Sequence, residues 1–451
     1  MLRSRRRRNV ALRCAVSVIL AALAMALWSP SASALATTLY VGGGPCSDTG
    51  SGTQSLPYCT ISKAASVAVA GQTVSVAAGS YAESVNVAHS GSPGSPIVFA
   101  ADSGASVIVT GGTNGFVVSG RQYVTISGFT ITGTSSYGIK ASSSSNIVIA
   151  NNEVSRAGRP VSGYIAVGIY LSGTTNSTVT RNHAHHNSNH GIYVSSGSTD
   201  NVISFNESSF NARQYIRGAN GVDVIAARNS VIGNRLHDNE DSGLQYYPGA
   251  DYGLATLNAS YNNGDHGIDD LNVHGGRLIG NTVYHNCTSG IHIEGTSSNY
   301  VVRNNIAVDN AVFVVNPTPM QFVNDCKRRV GNIAVYDSAP ATTIVGSNLV
   351  WLSVPGTMYT FGTKYQTLAA MQAATGQEHL GLQANPAFLG AAAGDLGLAA
   401  GSPAIDSADS GASGEQNLDI LGAPRTDDPS ITDTGVGPRT YDDRGAYERQ
   451  P

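Results

Sequence analysis

Between Gly115 and Asn310 a glycine followed by an apolar–any–apolar triplet keeps returning. It reads Gly115-Phe-Val-Val118, Gly138-Ile-Lys-Ala141, Gly168-Ile-Tyr-Leu171 and Gly191-Ile-Tyr-Val194. It continues as Gly221-Val-Asp-Val224, Gly243-Leu-Gln-Tyr246, Gly267-Ile-Asp-Asp270 and Gly290-Ile-His-Ile293. The steps between these glycines are 23, 30, 23, 30, 22, 24 and 23 residues, a period that predicts a solenoid of stacked coils. Strand alternation turns both apolar positions of each triplet inward and the middle one outward.

Two asparagine columns run in step with the glycines. One is Asn152, Asn182, Asn206, Asn234, Asn258, Asn281 and Asn305; the other is Asn187, Asn211, Asn239, Asn263, Asn286 and Asn310. Each coil is therefore expected to run strand, turn, strand, Asn turn, short strand, Asn turn. The stacked asparagines are expected to hydrogen-bond from coil to coil and to take the left-handed turn geometry themselves. Sequons at Asn206, Asn258 and Asn286 fall on these columns and read as structural. Residues 61–67 have helical spacing where a stack needs an end cap, and residues 365–374 have it again near the other end.

This pattern resembles the right-handed parallel β-helix of the pectate-lyase superfamily, over roughly residues 37–335. The fold implied is all-β, with an N-terminal helical cap and a mixed C-terminal capping region over 336–451. Gly401-Ser-Pro-Ala-Ile-Asp406, Asp419-Ile-Leu-Gly-Ala-Pro-Arg425 and Asp443-Arg-Gly-Ala-Tyr-Glu448 resemble the C-terminal region of many secreted bacterial β-helix proteins.

Residues 1–36 read as a secretory signal: an arginine-rich head, an apolar run from Ala15 to Trp28, and Ala34-Leu35-Ala36 before the cleavage point. The apolar run is too short to span a bilayer, so a secreted chain without membrane insertion is expected, acting as a monomer. The whole chain has 26 Lys and Arg against 30 Asp and Glu; six of the arginines and no acid lie before residue 37, leaving −10. So acidic a surface argues against nucleic acid as a partner. Four cysteines remain after the signal, an even number suited to an oxidising compartment. Cys46 with Cys59 and Cys287 with Cys326 is the favoured pairing, with two other connectivities open.

Lined up, the outward middle positions give Val117, Lys140, Tyr170, Tyr193, Asp223, Gln245, Asp269 and His292. Coils lie about 4.8 Å apart, so these side chains form one ladder of roughly 33 Å, long enough for several sugar units. Tyr170 and Tyr193 offer flat faces to sugar rings. Gln245, and Arg213 in one of the two longer coils, add polar substrate contacts. Asp241 and Asp265 stand two positions before their glycines, and Asp223, Asp241, Asp265, Asp269 and Asp270 form a candidate hard-oxygen set for Ca²⁺. The cluster His183, His185, His186 and His190 falls around an Asn turn and reads as structural.

The resemblance implies an enzyme acting on an extracellular, anionic polysaccharide, first of all a lyase cleaving a uronate-containing chain by β-elimination. Lyases of this fold use Lys or Arg as the base beside an acidic calcium site. Lys140 is the lysine of the column but stands three coils from Asp223; Tyr193, His292 and Arg217 are nearer. The second expectation is an inverting glycoside hydrolase of polygalacturonase type, with Asp223 and Asp269 two coils, about 9.6 Å, apart. A third is a non-catalytic carbohydrate-binding or adhesion β-helix. Gly267-Ile-Asp-Asp270 also resembles the catalytic strand of alginate epimerases, with Leu271 where that family has histidine.

Overall fold

The structure is a computed structural model and describes residues 37–158, 166–212, 218–312, 326 and 330–451. The signal segment and the candidate residues Arg213 and Arg217 lie outside the described residues. Among the described residues the chain forms three long sheets of 12 strands each, in which successive coils pair in parallel. A helix, α1 (Ile61–Val67), stands near the N-terminal end of the stack, capped by the Thr60 side chain accepting from the Lys63 N–H. Its Ile61, Ala64 and Ala65 are buried in the core.

The alternation holds. Ile169, Leu171, Ile192, Val194, Val222 and Val224 are all 0% exposed, and the coil-to-coil register keeps like over like. The glycine is required by close approach: a Cβ on Gly168 would stand 2.6 Å from the Gly191 carbonyl and 2.8 Å from the Asn187 amide. Both asparagine columns are continuous hydrogen-bonded ladders. In the first, Asn206 Nδ2 donates to Asn234 Oδ1 at 2.9 Å, while Asn206 Oδ1 accepts from the Asn182 backbone at 2.9 Å. The left-handed residue is the one before each ladder asparagine, not the asparagine itself. Arg181, Phe205, Gly233, Leu257, Gly280 and Asn304 have φ between 53° and 65°. The turn's bend is taken there, which leaves each ladder side chain aligned with the next.

Two findings alter the expected boundaries. The sheets continue past residue 335, through Ile344–Gly346, Leu349–Trp351, Tyr359–Phe361 and Leu382–Gln383, so that boundary falls inside the stack. The helix near the far end is Leu368–Thr375. The remaining C-terminal segment folds back along the third sheet. Leu398, Ala404 and Ile405 pack on Ile306, Val308 and Leu349, and Tyr447 and Ala446 join Ala259 and Tyr261. Arg303 pairs with Asp409 at 2.6 Å, and the Gly445 N–H donates to the Asn304 carbonyl at 2.7 Å. The disulfides are Cys46–Cys59 and Cys287–Cys326. Among the described residues no helix is long and apolar enough to cross a membrane.

Candidate functional site

Covering the third sheet leaves the glycine-strand sheet to carry the outward column. Lys140, Tyr170, Tyr193, Asp223, Gln245, Asp269 and His292 are direct register partners from coil to coil. The column has two halves. Upstream, Tyr137 stacks on Tyr170 with ring centroids 4.7 Å apart, Tyr170 meets Tyr193 at 5.4 Å, and the Lys140 ammonium lies 5.2 Å from the Tyr137 ring. These side chains are half-buried and make an aromatic track. Downstream, Asp223, Gln245, Asp269 and His292 face outward yet are 1–6% exposed.

The downstream half is joined by a network that the middle positions alone do not reveal. The residue immediately before each glycine supplies a second polar column: His190, Asn220, Ser242, His266 and Ser289. The Asn220 backbone N–H donates to His190 Nδ1 at 3.1 Å, and His190 Nε2 faces Asp223 Oδ2 at 3.3 Å. Burial pushes the His190 imidazole down to about 3, so the ring is neutral. With Nδ1 accepting, its proton sits on Nε2 and points at Asp223. Asn220 Nδ2 reaches Asp223 Oδ2 at 3.4 Å and donates to Gln245 Oε1 at 2.8 Å; Gln245 Nε2 donates to Asp269 Oδ2 at 3.0 Å. His292 offers Nδ1 to Asp269 Oδ1 at 3.2 Å and Nε2 to Glu294 Oε2 at 3.5 Å. His266 stacks on His292 at 4.1 Å and shares a 2.7 Å hydrogen bond with Ser289.

This setting divides the two column carboxylates. Burial, with some help from the Asp269 charge, pushes Asp223 up to about 7 against the weaker opposing effect of Asn220. Its Oδ1 is buried and has no hydrogen-bond partner among the described residues. Burial also works on Asp269, but the His266 and His292 imidazoles and the Gln245 amide outweigh it and hold that carboxyl well below the usual range. At neutral pH the site therefore keeps one carboxyl able to hold a proton and one carboxylate that stays ionised. Tyr193 is pushed up to about 12 by burial and by Asp223. The half-buried Tyr247 is pushed up by burial and then by Asp269, Asp241, Asp223 and Glu294, which places its phenol among four acids. Beyond His292, a cavity of about 670 Å³ is lined by Glu294, Tyr336, Asp337, Thr357 and Lys364 among others.

The predicted calcium set is not brought together. Asp270 lies inside the coil, in register with Tyr246 and Ile293; it is fully buried and accepts from the Tyr300 hydroxyl at 2.9 Å. The alternation that turns Asp269 outward turns its neighbour inward, so Asp270 cannot join a ligand set on the outer face. Among the described residues, the group on this face whose ligand atoms converge within 4.8 Å is His266, Asp269 and His292, and Asp269 is its only member from the predicted five. Asp241 and Asp265 are buried one coil apart, the Asp265 N–H donating to the Asp241 carbonyl at 3.1 Å. His190, read as structural from its place near an Asn turn, belongs to the site. His183 and His185 stay apart from it, stacked on one another beside Glu207 and Glu153.

Residues 49–216 and 201–351 match the family described as right handed beta helix region, and the chain belongs to that family. No curated protein matches it. Among solved structures it is similar to pectate lyase Pel9A, with a TM-score of 0.55 and 16% identity over 92% of this chain and 97% of that one. It is also similar to a rhamnogalacturonan lyase, with a TM-score of 0.45 and 16% identity over 78% and 90%. A third is the A-module of the Azotobacter vinelandii mannuronan C-5 epimerase AlgE4, with a TM-score of 0.45 and 14% identity over 64% and 90%. At 16% identity the likeness to the pectate lyase is one of fold.

Proposed function

We propose that this protein is an extracellular polysaccharide-processing enzyme. In this reading Asp223 is the general acid and Asp269 the general base of an inverting glycoside hydrolysis. The observation that carries it is the division of the two carboxylates on one column. Burial raises Asp223 to about 7, so that it still carries a proton near neutral pH, and Asp269 is held ionised by His266, His292 and Gln245. Their register places them two coils, roughly 9.6 Å, apart at the backbone, near the upper end of the spacing that admits a water opposite the leaving group. Asp223 protonates the glycosidic oxygen, while Asp269 takes a proton from the attacking water. The aromatic track from Tyr137 to Tyr193 stacks the sugars on one side of the cut, and the cavity beside His292 takes those on the other. Two disulfides and the signal-like first 36 residues support export.

β-Elimination of a uronate-containing chain is the second reading. A protonated Asp223 would donate to the uronate carboxylate and so acidify the neighbouring C–H. A base is harder to supply: Lys140 lies three register steps from Asp223, and the Tyr193 phenol holds its proton to about pH 12. Lys140, at the upstream end, would pair with an acidic sugar, which puts pectate, alginate and other uronans first in a screen. The test is to assay such a panel for new reducing ends and for ultraviolet-absorbing unsaturated ends together. Reducing ends alone support hydrolysis; absorbing products would replace it with elimination; retained binding without any product would leave an adhesion module.

A further inference from the structure

The C-terminal segment contains a group of acids far from the outward column. Asp406, Asp427 and Asp433 each bring a carboxylate oxygen to within 4.8 Å of the others'. Asp427 and Asp433 are exposed, but Asp406 is fully buried, and among the described residues neither of its carboxylate oxygens has a hydrogen-bond partner. A buried carboxylate with both oxygens unsatisfied and two more carboxylates facing it is costly unless a cation sits between them.

The rest of Asp406 is held tightly. Its N–H donates to Asp443 Oδ1 at 2.8 Å, and its carbonyl accepts from the N–H groups of Thr434 at 2.8 Å and Gly435 at 3.0 Å. Its φ is 49°, in the left-handed region. The backbone thus fixes the side chain against the 427–433 loop. The nearby arginines are engaged elsewhere: Arg449 with Asp428, Arg439 with Asp442, and Arg425 with Glu415 and Glu448. Burial raises the Asp406 carboxyl to about 6, with the charges of Asp433, Asp427 and Asp428 adding to the rise. The Asp428 N–H offsets part of it without reaching hydrogen-bond geometry with either oxygen.

We infer that Asp406, Asp427 and Asp433 bind one Ca²⁺ that ties the segment after Ala404 and Ile405 to the 427–433 loop. The donors are all hard oxygens with no imidazole or thiolate, which selects calcium or magnesium over transition metals. One buried and two solvent-facing carboxylates leave room for waters to complete six to eight ligands, which suits calcium's irregular coordination better than magnesium's octahedron. Ala404 and Ile405 pack on the third sheet, with Ile431 packed against the same cluster. The ion would therefore fasten the C-terminal segment where it covers the stack.

The test uses the full chain, stripped with chelator and titrated with CaCl₂ by calorimetry, with MgCl₂ in parallel. One site with a Kd of about 0.1–1 mM is expected, and a melting temperature about 1–3 °C higher in excess calcium. Asp433→Asn, at an exposed position, should abolish both the heat and the shift. Asp406→Asn should do the same and, in calcium-free buffer, should melt above the wild type because it removes the buried charge. Asp269→Asn, on the outward column, should leave calcium binding unchanged. No calcium heat up to 10 mM, equal affinity for magnesium, or binding that survives Asp433→Asn and is lost in Asp269→Asn would each overturn the assignment.

Discussion

His190 and Asp223 face one another at 3.3 Å from adjacent coils, and the Asn220 N–H on His190 Nδ1 decides which way the shared proton points. The neutral ring carries its proton on Nε2, 3.3 Å from Asp223 Oδ2, and Asp223 Oδ1 has no hydrogen-bond partner among the described residues. The pair is a holder and a proton carrier, and most of the expected behaviour of the site follows from it.

The first consequence is a pH dependence. Asp223 has its folded-state pKa raised from 3.8 to about 7. Its favourable neutral form is fully present below about 3.8 and is lost as pH rises through about 7, so both stability and activity should decline on that limb. The kcat/KM profile on a polysaccharide substrate should fall above about pH 7 with an apparent pKa near that value. Asp223→Asn should remove the loss of melting temperature between about pH 3.8 and 7 while lowering kcat by about 10²–10⁴-fold. A variant that keeps the fall in melting temperature across that window would show that another group titrates there.

Asp269 has the opposite sign. Its carboxyl is held below the usual carboxylate value of about 3.8, so the stability it contributes is present above that pH and is lost as pH falls below it. Asp269→Asn should lower kcat about 10²–10⁴-fold with KM nearly unchanged. Steady-state kinetics on the variant distinguish this from a binding role, in which KM would rise and kcat would stay.

Tyr170 lies between Tyr137 and Tyr193 in the aromatic track. Tyr170→Ala should weaken substrate binding by roughly 3–10-fold, the value of one aromatic contact, seen in KM with little change in kcat. An equal fall in kcat would place Tyr170 in the chemistry instead of along the track.

The ladder asparagines carry stability and not chemistry. Asn206 accepts from Asn182 and donates to Asn234 Oδ1 and the Val179 carbonyl, all within the buried stack. Asn206→Ala should cost about 2–4 kcal/mol, because buried donors and acceptors on both neighbouring coils are left unsatisfied. Denaturant unfolding measures this directly; a change under about 0.5 kcal/mol would mean that the turn repacks around the loss.

How far the sequence reveals these features depends on whether they repeat. The coil, the inward residues and both asparagine ladders are legible because each recurs every 22–30 residues in the same register. Tyr193, Asp223, Gln245, Asp269 and His292 are legible as one column for the same reason, and Asp270 is excluded from the face by that same alternation. His190, Asn220 and His266 occupy the position before the glycine, where the strand begins and alternation gives no direction. Their signal is the recurrence of polar residues at that one place. Tyr247 follows the strand Leu244–Tyr246 and reaches the site from a turn. The fold-back of the C-terminal segment and the meeting of Asp406 with Asp427 and Asp433 rest on contacts between distant, non-repeating stretches, which no local pattern announces.

The stereochemistry of the first product tests the roles of Asp223 and Asp269 most directly. Proton NMR of a polysaccharide digest, recorded before mutarotation, reads the configuration of the newly formed reducing end. Carboxylates two coils apart, with Asp223 as acid and Asp269 as base, predict inversion at the anomeric carbon. Retention of configuration, or an unsaturated sugar end in place of a hydrated one, would contradict it.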